Sequence, residues 1–360
     1  MGHELVAIAF PFNQSELTAA LRRYLDESNI DVLAYHVEKI DARPSRGTLR
    51  GLGVDLTRAD HREHYSYILK EPRESAQREI GLYRSLASQL PFAIPQLVGA
   101  DASNNWLLLE PYPTEVRAEE WAADDYRRAV INLARLHDRF WGLSEDLSVY
   151  PWLGHPLTRN FEACTMASAR AMELIIARGS PALITESLNI TTCIAHALSH
   201  ADEIAQALRA TPPTLLHGDY WPGNISIDED GDQIVYDWQA VSLGPGILDL
   251  VSFINNSAVW LAPLPVDPQE LIRLYRDQLA AAGRAAWADD EWKRLWDFAT
   301  LWRFLQECLI ALTNPMTDQQ LECANRIWIE PMIAAVPCCI REPMYHEDIK
   351  QINEMTKDDH

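Results

Sequence analysis

The first third of the chain alternates between helical and strand-like patterns of apolar residues. Over residues 13–29, leucines recur at helical spacing after a polar N-cap, Asn13 or Ser15, which predicts an amphipathic helix. Apolar runs then predict strands over residues 32–40, 48–56 and 64–70, a helix over residues 74–90, and a proline-ended buried strand over residues 106–113. We interpret the segment around Pro91 and Pro95 as a loop. The N-terminal region is therefore expected to be small and rich in strands.

Helical periodicity dominates the remainder of the chain. An amphipathic helix is predicted over residues 121–141, and His137 on its inward stripe is interpreted as a core histidine. Two or three further helices are expected over residues 157–210, and residues 268–340 are again helical, with tryptophans that we assign to the core. The last twenty residues are polar and are predicted to form a tail.

Composition excludes several classes of function. The 360 residues carry a formal net charge of −21, which opposes nonspecific binding to nucleic acid but is compatible with a cationic small molecule. The sequence contains no apolar run long enough for a membrane span, and its start lacks the basic region of a secretory signal. Its six cysteines lack metal-ligand or disulfide spacing, so we expect a reducing, cytoplasmic location.

The stretch from residue 215 to residue 238, LLHGDYWPGNISIDEDGDQIVYDW, carries the densest candidate chemistry. It predicts a short buried strand, a turn bearing His217 and Asp219, and a β-hairpin whose acidic tip spans residues 228–232. Counting outward from this tip places Asn224 opposite Asp237, about 4.5–5.5 Å apart at Cβ. The same count buries four hairpin side chains on one face: Ile225, Ile227, Ile234 and Tyr236. Two facing oxygen-bearing side chains can share a hard cation such as Mg²⁺.

The order of Asp219, Asn224 and Asp237 matches a known catalytic pattern. Protein kinases carry H-R-D-x-x-x-x-N followed by D-F-G, and this chain has H-G-D-Y-W-P-G-N followed by D-W-Q. In this form the motifs resemble those of the aminoglycoside phosphotransferase and choline kinase branch of the kinase-like superfamily. The resemblance implies an α+β, bilobal protein-kinase-like fold, in which a small β-rich N-lobe with one main helix precedes a larger helical C-lobe. The implied boundaries are residues 1–110 for the N-terminal lobe, 111–114 for the hinge, 115–340 for the C-terminal lobe and 341–360 for the tail.

The resemblance also implies a reaction, ATP-dependent transfer of the γ-phosphoryl group to an acceptor hydroxyl, with Mg²⁺ as cofactor. Asp219 would orient the hydroxyl and take its proton, while Asn224 and Asp237 would hold the metal. Lys70, oriented by an ion pair with Glu79, would neutralise the α- and β-phosphates. Two exposed charges are the alternative interpretation of Lys70 and Glu79.

The remaining candidate residues support nucleotide binding or the catalytic loop. Ser45, Gly47 and Thr48 suit a loop that covers phosphates, although an ordinary β-turn fits them equally well on local grounds. Backbone groups near Glu110 and Tyr112 would contact adenine at the hinge. His217 is expected to fix the loop by hydrogen bonding, and the resemblance gives Asp249 the role of bracing the loop backbone. Asp249 is equally compatible with a carboxylate placed at a helix N-terminus.

Several alternatives remain open at this stage. Asp249 follows Asp237 by only twelve residues, which leaves no room for an activation segment and an A-P-E motif, so a small-molecule kinase is favoured over a protein kinase. A catalytically silent nucleotide-binding module and a choline- or sugar-kinase-like enzyme are the other hypotheses. The pattern does not identify the acceptor, the preference for ATP or GTP, or the oligomeric state.

Overall fold

The computed structural model describes residues 10–38, 47–59, 61–72, 75–103, 105–112 and 116–340, without the side chains of residues 47 and 48. Ser45, part of the predicted hinge and the predicted tail lie outside these residues. The chain forms two compact units. The first contains the described residues up to Arg117 together with Ile225–Ala240, and the second contains Ala118–Asn224 with the described residues from Val241 onward.

An antiparallel sheet forms the body of the first unit. The elements in chain order are α1 (Gln14–Tyr24), β1 (Asp31–Glu38), β2 (Gly47–Arg58), β3 (His61–Pro72), α2 (Gln77–Ser85), β4 (Leu97–Asp101) and β5 (Trp106–Leu109). The strand order is β1-β2-β3-β5-β4, so β3 is the central strand. Leu52, Val54 and Leu56 alternate inward along β2 and are fully buried with Leu17 and Leu21 of α1.

One prediction about this unit needs correction, and one strand was not predicted. The first helix ends at Tyr24 rather than near residue 29, because Asp26 adopts a left-handed conformation (φ 53°) that a helix cannot contain. The loop around Pro91 and Pro95 is followed by β4, a strand that pairs antiparallel with β5 and was not predicted. The prolines mark the loop but give no signal for the strand that begins at Leu97.

The second unit begins with helices and a short strand. In chain order these are α3 (Ala123–Arg139), α4 (Ser144–Leu147), α5 (Phe161–Arg178), α6 (Ala182–Thr185), α7 (Leu188–Ser199), α8 (Ala201–Arg209) and β6 (Thr214–Leu216). Helix α5 ends at Gly179, which takes the left-handed conformation (φ 62°) typical of a C-cap glycine. The buried face of α3 includes Leu133, Leu136 and His137, as its periodicity predicts.

The chain then returns to the first unit through the hairpin β7 (Ile225–Ile227) and β8 (Gln233–Val235). The hairpin belongs to that unit because the Val235 amide donates to the Ala93 carbonyl at 3.0 Å and the Phe92 ring stacks on Trp238. After it come β9 (Ser242–Gly244), which pairs with β6, and α9 (Ile247–Trp260), α10 (Pro268–Ala281) and α11 (Asp289–Arg303). A π-helical turn (Phe304–Cys308) leads to α12 (Leu309–Ala311) and α13 (Asp318–Ala324), and a second (Asn325–Ile329) leads to α14 (Glu330–Cys339).

The hairpin register differs by one residue from the prediction. Ile225 pairs with Val235 and Ile227 with Gln233, so the buried face carries Val235, whereas Ile234 is only half-buried. The reason is Gly231, whose left-handed conformation (φ 81°) closes a three-residue loop between Asp228 and Asp232 instead of a symmetric tip. The predicted opposition of Asn224 and Asp237 across the ladder is therefore wrong, and both residues lie outside the paired strands.

Two global features follow from the described residues. The helices among them are too short or too polar to cross a lipid bilayer. All six cysteines are free thiols.

Candidate active site

A buried ion cluster joins strand β3 to helix α2 in the first unit. Lys70 lies in the middle of the sheet, between Leu49 of β2 and Leu107 of β5, and is only 5% exposed. Its Nζ donates to Glu79 Oε2 at 2.6 Å and to Asp237 Oδ1 at 2.5 Å. The structure therefore contains the Lys70–Glu79 ion pair expected from the sequence and adds Asp237 to it.

The electrostatics of this cluster are unbalanced, because one ammonium faces two carboxylates. Burial opposes the charged form of Lys70, but the attraction of Glu79 and Asp237 outweighs burial and raises the pKa of Lys70. Burial raises the pKa of Glu79, despite the opposing effect of Lys70. One ammonium cannot balance two carboxylates when both are ionised, and an additional cation would offset the difference.

Asp237 owes its position to an unusual backbone conformation. Strand β8 ends at Val235, and Asp237 has a φ of 65°, in the left-handed region that costs an ordinary residue roughly 1–2 kcal/mol. This conformation ends the strand, and the Asp237 carboxylate points to Lys70. Its other oxygen, Oδ2, accepts a long hydrogen bond from Gln239 Nε2 at 3.4 Å.

Glu110 and Tyr112, in the segment expected to contact adenine, already make contacts within the protein. The Glu110 amide donates to the Gln96 carbonyl at 3.0 Å, and its side chain accepts a hydrogen bond from the Tyr24 hydroxyl. A base bound here would need other backbone groups. Tyr112 stacks on Tyr236 with ring centroids 4.4 Å apart, which links this segment to the hairpin.

Two of the three residues expected to cover phosphates lie in strand β2. The backbone of Gly47 pairs with Pro72 and that of Thr48 with Glu71, at the first two positions of the strand. The third, Ser45, precedes the described part of β2. The ladder places Thr48 one residue and Gly47 two residues from Leu49, the residue that pairs with Lys70.

In the second unit, the predicted catalytic loop begins directly after β6, at His217. His217 is fully buried and Gly218 has a φ of 85°, which favours glycine. The Asp219 amide donates to His217 Nδ1 at 3.2 Å, so His217 holds the loop by a hydrogen bond. Tyr220 is also fully buried, and its hydroxyl donates to the Ala129 carbonyl of α3 at 2.9 Å. The loop is thus anchored on both sides of Asp219.

Asn224 closes the same loop. Its Nδ2 donates to the Asp219 carbonyl at 2.8 Å and to Asp219 Oδ2 at 2.9 Å. Because the amide nitrogen is used in this way, the amide oxygen is left as the ligand atom that Asn224 can offer.

Asp249 holds the loop backbone from helix α9. It is fully buried, and its Oδ2 accepts from the His217 amide at 2.7 Å while its Oδ1 accepts from the Gly218 amide at 3.0 Å. Burial alone would raise the pKa of Asp249, but interactions with His137 and the charge of Arg303 lower it below its ordinary value of 3.8. The carboxylate is therefore ionised near neutral pH.

Sequence reasoning missed the environment of Asp249. His137 Nε2 lies 3.5 Å from Asp249 Oδ2, and its Nδ1 lies 2.7 Å from the Tyr275 hydroxyl. Arg303 Nη2 lies 3.1 Å from Asp249 Oδ1. The signal for Arg303 was an arginine within the apolar run FATLWRFL of a helix, where an unpaired charge would be costly.

Mg²⁺ binds through oxygen ligands. Within the described part of the chain, no group of three or more His, Cys, Asp or Glu side chains is arranged to hold a metal ion. Mg²⁺ in phosphoryl-transfer sites usually takes one or two protein oxygens and completes its shell with phosphate and water. Asn224 in the second unit and Asp237 in the first each carry an oxygen atom of the kind that Mg²⁺ binds.

Comparison with protein families gives one clear match. The model of the phosphotransferase enzyme family matches residues 54–289, which is more than half of the chain. No curated protein matches the sequence.

Solved structures give the fold. An ADP-bound aminoglycoside phosphotransferase is 11% identical, with a TM-score of 0.50, over 90% of this chain and 99% of that chain. An amicoumacin kinase in complex with AMP-PNP, Ca²⁺ and Ami is 15% identical, with a TM-score of 0.51, over 84% and 92%. An ethanolamine kinase of Plasmodium vivax is 13% identical, with a TM-score of 0.52, over 85% and 83%. The predicted kinase-like α+β fold is thereby confirmed.

Proposed function

Because this chain belongs to the phosphotransferase enzyme family and is an ATP-dependent small-molecule kinase, we propose that its acceptor is an amine-bearing alcohol. One observation supports the assignment of the nucleotide-binding residues. Lys70, on the central strand of the sheet, is buried and held between Glu79 and Asp237. An ammonium fixed by two carboxylates keeps its charge and its place, as a phosphate-binding lysine requires.

On the nucleotide side, Lys70 neutralises the α- and β-phosphates, and Glu79 orients it. Gly47 and Thr48, with Ser45, cover the phosphates, and the backbone near Glu110 and Tyr112 binds the base. We propose residues 111–114 as the hinge between residues 1–110 and residues 115–340, with the hairpin segment Ile225–Ala240 packed in the first unit.

On the acceptor side, Asp219 orients the hydroxyl and takes its proton as the bond to phosphorus forms. Asn224 fixes the Asp219 carboxylate through its Nδ2 hydrogen bond and, with Asp237, supplies oxygen for Mg²⁺. The metal, when bound, neutralises charge on the transferred phosphoryl group. Asp249 and His217 keep the loop backbone in place during the transfer.

The charge of the protein favours a cationic acceptor. A net charge of −21 attracts cations and repels anions over the whole protein, and focusing by a cleft increases the effect. The aminoglycoside phosphotransferase and the ethanolamine kinase carry amine-containing acceptors in their names. Amino sugars and choline-like amino alcohols are therefore the first candidates. We place the enzyme in the cytoplasm, where free cysteines stay reduced.

The test is a phosphorylation screen of the whole chain with MgATP. Amino sugars, choline and ethanolamine are compared with uncharged sugars and alcohols, and mass spectrometry detects addition of one phosphoryl group to the acceptor. Asp219→Ala should abolish the product without changing nucleotide binding. Asp230→Ala, at the exposed hairpin tip, is the matched control and should behave as the wild type.

The outcomes separate the proposal from its rivals. Transfer to uncharged acceptors only would contradict the amine-bearing class while retaining the kinase. Binding of MgATP without transfer to any acceptor would favour a catalytically silent module. Normal turnover by Asp219→Ala would remove Asp219 from its proposed role.

A further inference from the structure

We propose that Arg303 is a positioning residue for the catalytic loop and acts through Asp249. The catalytic part of this inference rests on the proposed function of Asp219, whereas the structural part does not. Arg303 is the last residue of α11, is 8% exposed, and follows Asp249 by more than fifty positions in the chain.

All three guanidinium nitrogens of Arg303 have separate acceptors. Nη2 donates to Asp249 Oδ1 at 3.1 Å, Nε donates to the Leu248 carbonyl at 3.0 Å, and Nη1 lies 2.9 Å from Glu307 Oε1. Two of these contacts reach the first turn of α9, so Arg303 fixes both the carboxylate of Asp249 and the backbone beside it. A planar guanidinium can make such a set of bonds, but a lysine ammonium on a flexible stem cannot reproduce it.

The same Asp249 oxygen connects Arg303 to the loop. Asp249 Oδ1 accepts from both Arg303 Nη2 and the Gly218 amide, while Oδ2 accepts from the His217 amide. A rotation of the Asp249 carboxylate would therefore release the two backbone groups that precede Asp219. Arg303 opposes that rotation with a charge-assisted hydrogen bond, which is stronger than a neutral one.

Glu307 holds Arg303 from the opposite side. Its Oε1 accepts from the Ser252 hydroxyl at 2.7 Å, and its Oε2 accepts from Asn256 Nδ2 at 3.2 Å, both on α9. Glu307 lies in the π-helical turn Phe304–Cys308 that directly follows Arg303. Such turns recur at functional sites because the extra residue redirects side chains.

The π-helical turn is itself anchored. The buried Ser168 hydroxyl of α5 donates to the Leu305 carbonyl at 2.9 Å, which fixes the backbone between Arg303 and Glu307. The connection therefore runs through hydrogen bonds from α5 and α11 to Asp249 and then to the loop.

Hydrogen exchange of the loop amides tests this connection without any activity assay. In Arg303→Lys, the His217 and Gly218 amides should exchange about tenfold faster, equivalent to losing one charge-assisted hydrogen bond. Arg127→Lys is the matched control, because Arg127 also pairs with a carboxylate, Glu270, at 2.6 Å but on the half-exposed surface. The control should leave the loop amides unchanged.

Kinetics then test the catalytic consequence. Arg303→Lys should lower kcat about tenfold and leave the KM for ATP near the wild-type value, because the Lys70 cluster is intact. Asp249→Asn should lower kcat as well, and the double variant should be no worse than Asp249→Asn alone, since both changes remove the same support.

The results distinguish this inference from the proposed function. A wild-type chain without transferase activity would reject the function, while hydrogen exchange would still decide the role of Arg303. Loop amides that exchange at wild-type rates in Arg303→Lys would overturn the inference. Faster exchange spread evenly over α9 and α11, without preference for the loop, would also overturn it.

Discussion

Replacing Lys70 with methionine removes one ammonium and keeps most of the side-chain length. Glu79 is fully buried and the Asp237 side chain is 16% exposed, so the change leaves two carboxylates without their cation. Breaking a buried ion pair by removing one partner costs about 3–5 kcal/mol. Because Glu79 already has a raised pKa and can take up a proton, we expect about 3 kcal/mol, the lower end of that range.

Replacing Glu79 with glutamine should have a much smaller effect on stability. Lys70 keeps Asp237 as a partner at 2.5 Å, and the cluster becomes electrically balanced. We therefore expect the free energy of unfolding to stay within about 1 kcal/mol of the wild type, since one charge-assisted hydrogen bond is exchanged for a neutral one. Transferase activity should still fall, because Lys70 loses one of the two groups that orient it.

The two variants should also differ in their response to pH. Burial raises the pKa of Glu79 above its ordinary value of 4.5, so the folded state binds this proton more tightly than the unfolded state. The stabilisation from this proton is complete below pH 4.5 and is lost as the pH rises through the folded-state pKa. The wild type should therefore lose stability relative to Glu79→Gln as the pH rises above 4.5.

Urea unfolding followed by hydrogen exchange of β3 and β5 peptides measures these differences within the first unit. Exchange of those peptides reports on the sheet that contains Lys70 and is insensitive to unfolding elsewhere. A Glu79→Gln variant as unstable as Lys70→Met would refute the charge-imbalance argument. So would a wild type that gains stability over Glu79→Gln at higher pH.

Three further changes test other parts of the site. Asp237→Ala should weaken MgATP binding roughly 10–100-fold, the effect of one charged contact, and unchanged affinity in titration calorimetry would argue against its metal role. Gly218→Ala should destabilise the second unit by about 1–2 kcal/mol through its left-handed φ, which thermal unfolding can measure; an unaltered melting temperature would show that the loop tolerates a side chain. Asp249 has a lowered pKa, so its stabilisation is present above pH 3.8 and is lost as the pH falls through the folded value; acid titration of Asp249→Asn should lack this component of the wild-type curve.

Local patterns predicted much of the first unit because local chemistry determines it. Asn13 caps α1 through a reciprocal capping box with Glu16, a signal that four residues carry by themselves. The strand lysine and helix glutamate were identified from their order, and the buried geometry of Lys70 and Glu79 matches that expectation.

The sequence-based predictions failed in two situations. One residue can shift the pairing register of a hairpin, and a contact can join residues that are far apart in the chain. Gly231 shifts the hairpin register by one residue, which symmetric counting from the tip does not detect. Arg303 contacts Asp249 because α9 packs on α11, and the spacing of residues in the sequence does not predict that contact. The Glu110 amide was expected to be available, yet β4, which the proline pattern hid, brings Gln96 into reach.

Among the described residues, Lys70 and Arg303 are buried cations that each pair with two carboxylates. The two clusters differ in the other groups that contact their carboxylates, and we infer that they differ in role. The carboxylates around Arg303, Asp249 and Glu307, also receive neutral donors from loop amides and from Ser252 and Asn256 at 2.7–3.2 Å. Those donors stabilise the two carboxylates, so this cluster acts as a support.

Asp237 differs. Among the residues that the structure describes, its second oxygen meets only Gln239 at 3.4 Å, and the charge it shares with Glu79 exceeds that of Lys70. An ionised oxygen with such weak internal compensation is stabilised by a bound cation, whereas a fully hydrogen-bonded one gains little. If this distinction is correct, Mg²⁺ without nucleotide should raise the melting temperature of the wild type and leave that of Asp237→Asn unchanged. Equal shifts in both would place the cation elsewhere.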